Sequence, residues 1–228
     1  MEQFKINFIN NFITDNRYMY LVQGLGKTLL LTAFAAIIGI VLGFLVAIIR
    51  STYEKTGKLK IANALCSLYL TVIRGTPAVV QLLIMFYVVF ASYNNSTVVA
   101  IITFGINSGA YVAEIVRSGI MSIDGGQLEA GRSLGFSYAQ TMWYVIMPQA
   151  FKNVLPALAN EFIVLLKETS ICGYIGLMDL TKGGDIIRSR TYEAFMPLIA
   201  VALIYLIMVV FLSSMVKKLE RRLRVSER

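Results

Sequence analysis

The chain has 228 residues, of which 57% are hydrophobic and only 15% charged, with a net charge of +8. Soluble domains carry about 25% charged residues, so this composition argues against a water-soluble fold. Histidine is absent and the only two cysteines, Cys66 and Cys172, lie in apolar surroundings as buried structural thiols, which leaves no basis for a disulfide framework, a metal site or histidine acid–base catalysis, and no catalytic residue is assigned.

Three intervals hold no ionisable side chain: Lys27 to Arg50, Arg74 to Glu114, and Glu193 to Lys217. A helix needs roughly 20 apolar residues to cross the hydrocarbon core of a bilayer. The first and last intervals each fit one such helix and the middle one fits two. The basic excess clusters beside these stretches, in Arg50, Lys55, Lys58 and Lys60 and again in Lys217, Lys218, Arg221, Arg222 and Arg224. Basic residues so placed mark cytoplasmic loops against a lipid bilayer rather than a nucleic-acid surface.

Residues 1–20 place Phe4, Phe8, Ile9, Phe12 and Ile13 on one helical face, which predicts an interfacial helix with Tyr18 and Tyr20 at headgroup level. The start carries Glu2 and the first apolar run exceeds a signal-peptide core, so no cleavable leader is expected. The first span is predicted over 29–49, with Gly39 and Gly43 at a spacing that lets two helices approach closely. Gly24-Leu25-Gly26-Lys27-Thr28 imitates the end of a phosphate-binding loop. The required earlier glycine is Leu21, and no strand precedes it, so ATP binding is not expected there.

A second apolar region, 61–93, is interrupted by Arg74-Gly75-Thr76-Pro77, which predicts a helix broken in or near the membrane. Asn94-Asn95 make a turn and a third span follows over 97–121. Residues 122–152 are polar and mixed. The fourth span, 154–175, carries Glu161, Lys167 and Glu168, and the polar stretch 179–193 leads to a fifth over 195–216 and a basic tail, 217–228. The fold class is therefore all-α and integral to a membrane. It has about five transmembrane helices in a single domain over 1–228. Charge placement puts the amino terminus outside and the carboxyl terminus in the cytoplasm. No internal repeat is visible, and five helices are few to enclose a solute path, so a dimer is expected.

Residues 124–135 predict a short helix between two spans, closed by Gly135 in a position suited to a C-cap. Ala130, Gly131 and Leu134 would form a small close-packing face, with Glu129 and Arg132 offering polar contacts. Physics alone leaves two readings open, a helix docked into a soluble partner and a loop helix lying on the membrane. The segment resembles the signature of ABC importer permeases, E-A-A, three residues, G, nine residues, I-x-L-P. Here it stands as Glu129-Ala130-Gly131, three residues, Gly135, nine residues, Val145-Ile146-Met147-Pro148. Gly131, Val145 and Met147 depart from the pattern while the spacing is intact. Arg74-Gly75-Thr76-Pro77, Tyr111-Val112-Ala113-Glu114, Asn160-Glu161-Phe162 and Leu166-Lys167-Glu168-Thr169-Ser170 are similar to the amino-acid branch.

That resemblance implies a non-catalytic permease subunit in a bacterial cytoplasmic membrane, binding no cofactor itself. ATP and Mg would sit on two separate ATPase subunits, and Glu129, Ala130, Gly131, Ser133, Leu134 and Gly135 would couple to them as a cytoplasmic coupling helix. A second permease copy, a homodimer in preference to a heterodimer, would enclose the pathway. An extracytoplasmic binding protein would deliver an amino acid, polar or basic. Closure of the ATPase dimer would move the coupling helices as rigid bodies.

Charged side chains within a membrane usually face a cavity or a partner. The solute-site candidates are Arg74, Thr76, Asn107, Glu161, Glu168 and Thr169, with Ser108 as a weaker one. Glu161 or Glu168 would take the cationic end of the solute, while Arg74, Thr76 and backbone N–H groups would take its carboxylate. An internal ion-pair network is the competing account of these charges. Glu114 and Arg117, three apart on one helix, can pair with each other. A carrier driven by an ion gradient remains the alternative function, though it leaves 129–135 without a role.

Overall fold

A computed structural model describes residues 2–225, the side chains of residues 55, 56, 224 and 225 excepted. The predicted segment 1–20 is not one helix. Helix α1 (Glu2–Phe8) runs through a wide π-turn, Ile9–Ile13, into a tight turn, Thr14–Asn16. Asp15 and Asn16 there adopt positive φ, which breaks the helix. Phe12 buries against Leu21, Leu180, Ile187 and Val201, while Phe4, Phe8, Ile9 and Ile13 stay exposed as an outward apolar face. Tyr18 and Tyr20 belong to the next element, and Tyr20 carries the Arg190 guanidinium 5.1 Å over its ring.

Helix α2 (Tyr18–Thr56, 39 residues) is longer than the predicted 29–49 span at both ends. It is closed by Gly57 in the left-handed region. Helix α3 (Lys60–Gly75) is followed by α4 (Ala78–Ile84), which continues as a π-turn, Met85–Val89. The two are bent by 110° at the predicted break. Thr76 is extended, as a residue before proline prefers, and Pro77 starts the new helix. Helix α5 (Ser96–Met121) is capped by the Asn95 side chain, which accepts from Val98 N–H at 3.2 Å. Then come α6 (Gly125–Ser133), α7 (Tyr138–Thr141) with a π-turn over Met142–Ile146, and α8 (Met147–Glu168). Helix α9 (Leu180–Thr191) and α10 (Phe195–Val225) complete the order. The basic tail continues α10 as far as residue 225, and 226–228 lie outside the described residues.

Among the described residues, α2, α5 and α10 are each long and apolar enough to cross a membrane, and the bent α3–α4 pair makes a fourth span if counted as one. The expected span over 154–175 is instead α8, which starts at Met147, followed by a tight 3-10 coil, Thr169–Ile175. Its composition falls short of a spanning helix because Lys152, Asn153, Asn160, Glu161, Lys167 and Glu168 fall on it. Packing against α5 and α10 compensates.

The central pair is α2 and α5, which run alongside each other. Gly39 and Gly43 do form a close contact: a Cβ on Gly39 would come within 3.0 Å of Ser108 Cβ, and one on Gly43 within 2.5 Å of Val112 Cβ. The partner helix answers with Gly105 against Ile38 and Gly109 against Leu42. The phosphate-loop imitation is ordinary α2 packing. Gly24 lies against the Asp179 carbonyl, and the Thr28 hydroxyl accepts from Leu180 N–H at 3.1 Å. Cys66 and Cys172 are both buried free thiols, as expected.

Candidate functional site

Residues from α3, α5 and α8 converge on a cavity of about 550 Å³ whose walls include Arg74, Tyr111, Glu114, Asn153 and Glu161. Glu161 is half-buried and accepts a hydrogen bond from the Ser108 hydroxyl at 2.8 Å. Ser108 sits on α5 next to Gly39, so the α2–α5 contact sets its position. Glu114 pairs with Arg117 on its own helix, as the spacing predicts, and also with Arg74 across the bend at 3.5 Å. The cavity therefore combines two carboxylates with one partly exposed guanidinium, acceptors and a donor of the kind a zwitterion requires.

Of the predicted solute-site residues, Arg74 and Glu161 share this cavity, and Thr76, Asn107, Glu168 and Thr169 do not line it. Thr76 and Asn107 are bonded at the bend. The Gln81 side-chain amide donates to Ile73 O at 2.8 Å, Thr76 O at 3.0 Å and Thr76 Oγ1 at 2.8 Å. Asn107 Nδ2 donates to Gln81 Oε1 at 2.9 Å and so orients that amide. The reason is the end of α3, whose last carbonyls have no partner inside the helix and are only partly shielded at the bend. Gln81 was not among the candidates, although it is the only polar residue in the run Ala78–Phe86. Glu168 closes α8 seven residues on, about 10 Å from Glu161 along the axis. Thr169 is buried and donates to Leu166 O at 2.8 Å.

The second site is α6. Asp124 caps its start, accepting from Gly126 N–H at 2.8 Å. Gly135 takes positive φ, with Gly135 N–H donating to Arg132 O at 3.0 Å and Phe136 N–H to Gly131 O at 3.1 Å. Those two bonds form a Schellman cap, the role the sequence predicts for Gly135. Glu129, Ala130, Ser133 and Leu134 are exposed, Leu134 at 79%. Gly131 is not part of a free face: it is buried with Thr141 directly above its Cα, and any side chain there would collide with that residue. Ser137 and Gln140 form a reciprocal capping box at the start of α7, which fixes the turn between the two helices.

Residues 39–225 match the model of a family described as binding-protein-dependent transport system inner membrane component. The glutamine transport system permease protein GlnP of Escherichia coli strain K12 is 37% identical over 209 residues, 90% of this chain and 93% of that one. The arginine transport system permease protein ArtQ of Bacillus subtilis strain 168 is 37% identical over 212 residues, covering 91% and 94%. A crystal structure of an amino acid ABC transporter with histidines superposes with a TM-score of 0.85 at 43% identity, over 92% of this chain and 98% of that one. The methionine ABC transporter MetNI, in an inward-facing conformation, shares the fold alone, with a TM-score of 0.76 at 22% identity. From its fold and from these likenesses, the chain belongs to the family of binding-protein-dependent transport system inner membrane components.

Proposed function

We propose that this chain forms the translocation pathway of an ABC importer for a polar or basic amino acid. Two copies enclose the path, and an extracytoplasmic binding protein delivers the solute. ATP and Mg reside on two partner ATPase subunits, which receive α6 through Glu129, Ala130, Ser133 and Leu134. Gly131 and Gly135 give that helix its seat and its cap. The amino terminus lies outside and the basic end of α10 in the cytoplasm, as the charge distribution favours. The substrates named for the glutamine and arginine permeases support the class of solute. A carrier driven by an ion gradient gives α6 no task, and the relatives above are not of that kind.

The observation that carries the proposal is that Glu161 and Arg74 line one cavity. Glu161 receives the ammonium or a basic side chain, and Arg74 the carboxylate. Single replacements Glu161→Gln and Glu168→Gln, in liposomes with the ATPase subunits and binding protein, test it through uptake of labelled glutamine and arginine. E161Q keeps an acceptor for Ser108 but loses the charge, and uptake falls about tenfold or more, the scale of one charge-assisted hydrogen bond. E168Q retains most activity. Unchanged uptake in both variants, with assembly intact, rejects the acidic site.

A further inference from the structure

A second cavity, about 460 Å³, adjoins the first and shares Arg74 and Tyr111 with it. Its other walls include Arg50 from α2 and Ser67 and Thr71 from α3. Among the described residues no carboxylate lines it. Arg50 Nε is buried and has no hydrogen-bond partner among the described residues, an arrangement that is costly for a charged group unless something fills the gap. Thr71 Oγ1 spends its hydrogen on the Ser67 carbonyl at 2.9 Å, which leaves the Ser67 hydroxyl, the two guanidinium groups and the Tyr111 phenol as the donors that face the space.

The surrounding side chains point the same way. Three guanidinium groups, Arg50, Arg74 and Arg117, act through space on the single carboxylate Glu114, and Glu54 is the other acid close enough to act on Arg117. Arg74 is thus the guanidinium that this acid-bearing group shares with the second cavity. The polar positions of α3, Lys60, Asn63, Ser67, Thr71 and Arg74, recur at helical spacing, opposite Ile61, Leu65, Leu68 and Val72, which are exposed. An apolar stripe can face lipid, whereas a hydroxyl-and-guanidinium stripe needs water or a polar ligand.

We propose that Arg50, Ser67, Arg74 and Tyr111 form an oxyanion station that takes the carboxylate of the transported amino acid while its ammonium rests against Glu161 in the neighbouring cavity. This rests on the permease reading above and adds to it a second half of the solute site, on α2 and α3. Arg74 and Tyr111, common to both cavities, become the divide that the zwitterion straddles.

The test uses the complex of this chain with its ATPase partner in phosphatidylcholine nanodiscs, with Thr71→Cys as a reporter that is not itself a donor. Wild-type protein, with both natural thiols buried, is the blank. The rate of modification by a charged thiosulfonate is followed against L-glutamine, L-arginine and their α-carboxamides. The free amino acids protect the reporter and the carboxamides do not. Adding Arg50→Gln raises the half-protecting concentration about tenfold or more, and Arg50→Lys restores part of it. Equal protection by acids and carboxamides, or no protection at all, overturns the station. Protection that requires added phosphatidylglycerol or inorganic phosphate also overturns it and assigns the cavity to a lipid headgroup or free phosphate. ATP-driven amino-acid uptake by the same wild-type complex separates the two failures: uptake without protection sinks only the station, and absence of uptake sinks the permease reading.

Discussion

The Gln81 amide shows how one side chain substitutes for a helix that has to stop inside an apolar layer. It covers carbonyls of Ile73 and Thr76, and Asn107 holds it in place. Replacing Gln81 by Leu leaves at least two carbonyls and the Asn107 amide without partners. The expected cost is about 1–3 kcal/mol, the loss for the one fully buried group left unmet, the Asn107 amide. Thermal unfolding of the purified protein in detergent reads this as a lowered midpoint, and a midpoint equal to wild type rejects the role. The sequence made the bend legible through Pro77 but not the residue that makes it tolerable. Thr76 and Asn107 looked like solute ligands because an amide and a hydroxyl beside a broken helix suit either task. Asn107 is buried and Thr76 exposed, and that difference depends on which helix crosses at that level. Glu161 was legible from the cost of a charge in a spanning segment, whereas its partner Ser108 depends on the α2–α5 contact.

At the level of elements, helices free of charge were readable end to end in their middles and less so at their tips. Helix α5 starts at Ser96, within a residue of its expected start. Helix α8 begins earlier than 154 because Pro148 is tolerated in a first turn, where its missing N–H is no loss. The break after Ile13 was invisible, since positive φ at Asp15 and Asn16 leaves little trace in composition. The glycines of α2 and α5 predict a strong asymmetry of response. Gly43→Leu forces a side chain into Val112 and is expected to cost about 1–3 kcal/mol or to prevent assembly, seen as lost yield and a lower melting point. A Cβ at Gly26 meets no atom within 4 Å, so Gly26→Ala is expected to be neutral or stabilising. In α6, Gly131→Leu drives into Thr141 and unseats the helix, while Leu134→Glu alters only an exposed position. Both are expected to lose the ATPase subunits on co-purification, yet only Gly131→Leu also lowers the melting point. Retention of the subunits by L134E removes Leu134 from the docking face. In α9, Lys182 and Arg188 bond to Asp185 and hold its carboxyl below the usual aspartate range. A lowered folded pKa contributes stability that is complete above about pH 4, the unfolded value, and is lost as pH falls through the folded one. Wild type is thus expected to lose more thermal stability than Asp185→Asn between about pH 5 and pH 3. Parallel losses would show that the pairs do not matter.

Across the whole molecule, α2 touches nearly everything the other helices arrange. Near its start Gly24 lies against the Asp179 backbone, and the Tyr20 carbonyl meets Gly183. Gly39 and Gly43 clamp it to α5, and Arg50 reaches the second cavity beyond. The continuous helix carries no break between these points. At 1.5 Å per residue, Gly24 stands about 22 Å from the clamp at Gly39, and Arg50 about 10 Å beyond Gly43. If it pivots on its glycines, such a rod is a lever with arms of roughly two to one. A shift of the α9 end would arrive at Arg50 reversed in direction and about halved, so a movement of 4 Å at one face becomes about 2 Å where a carboxylate is gripped. Spin-label pairs at the two ends of α2, each measured against α5 with and without ATP on the partner, would move in that proportion if the rod is stiff. Equal displacements in the same direction would show that the helix slides, and does not tilt.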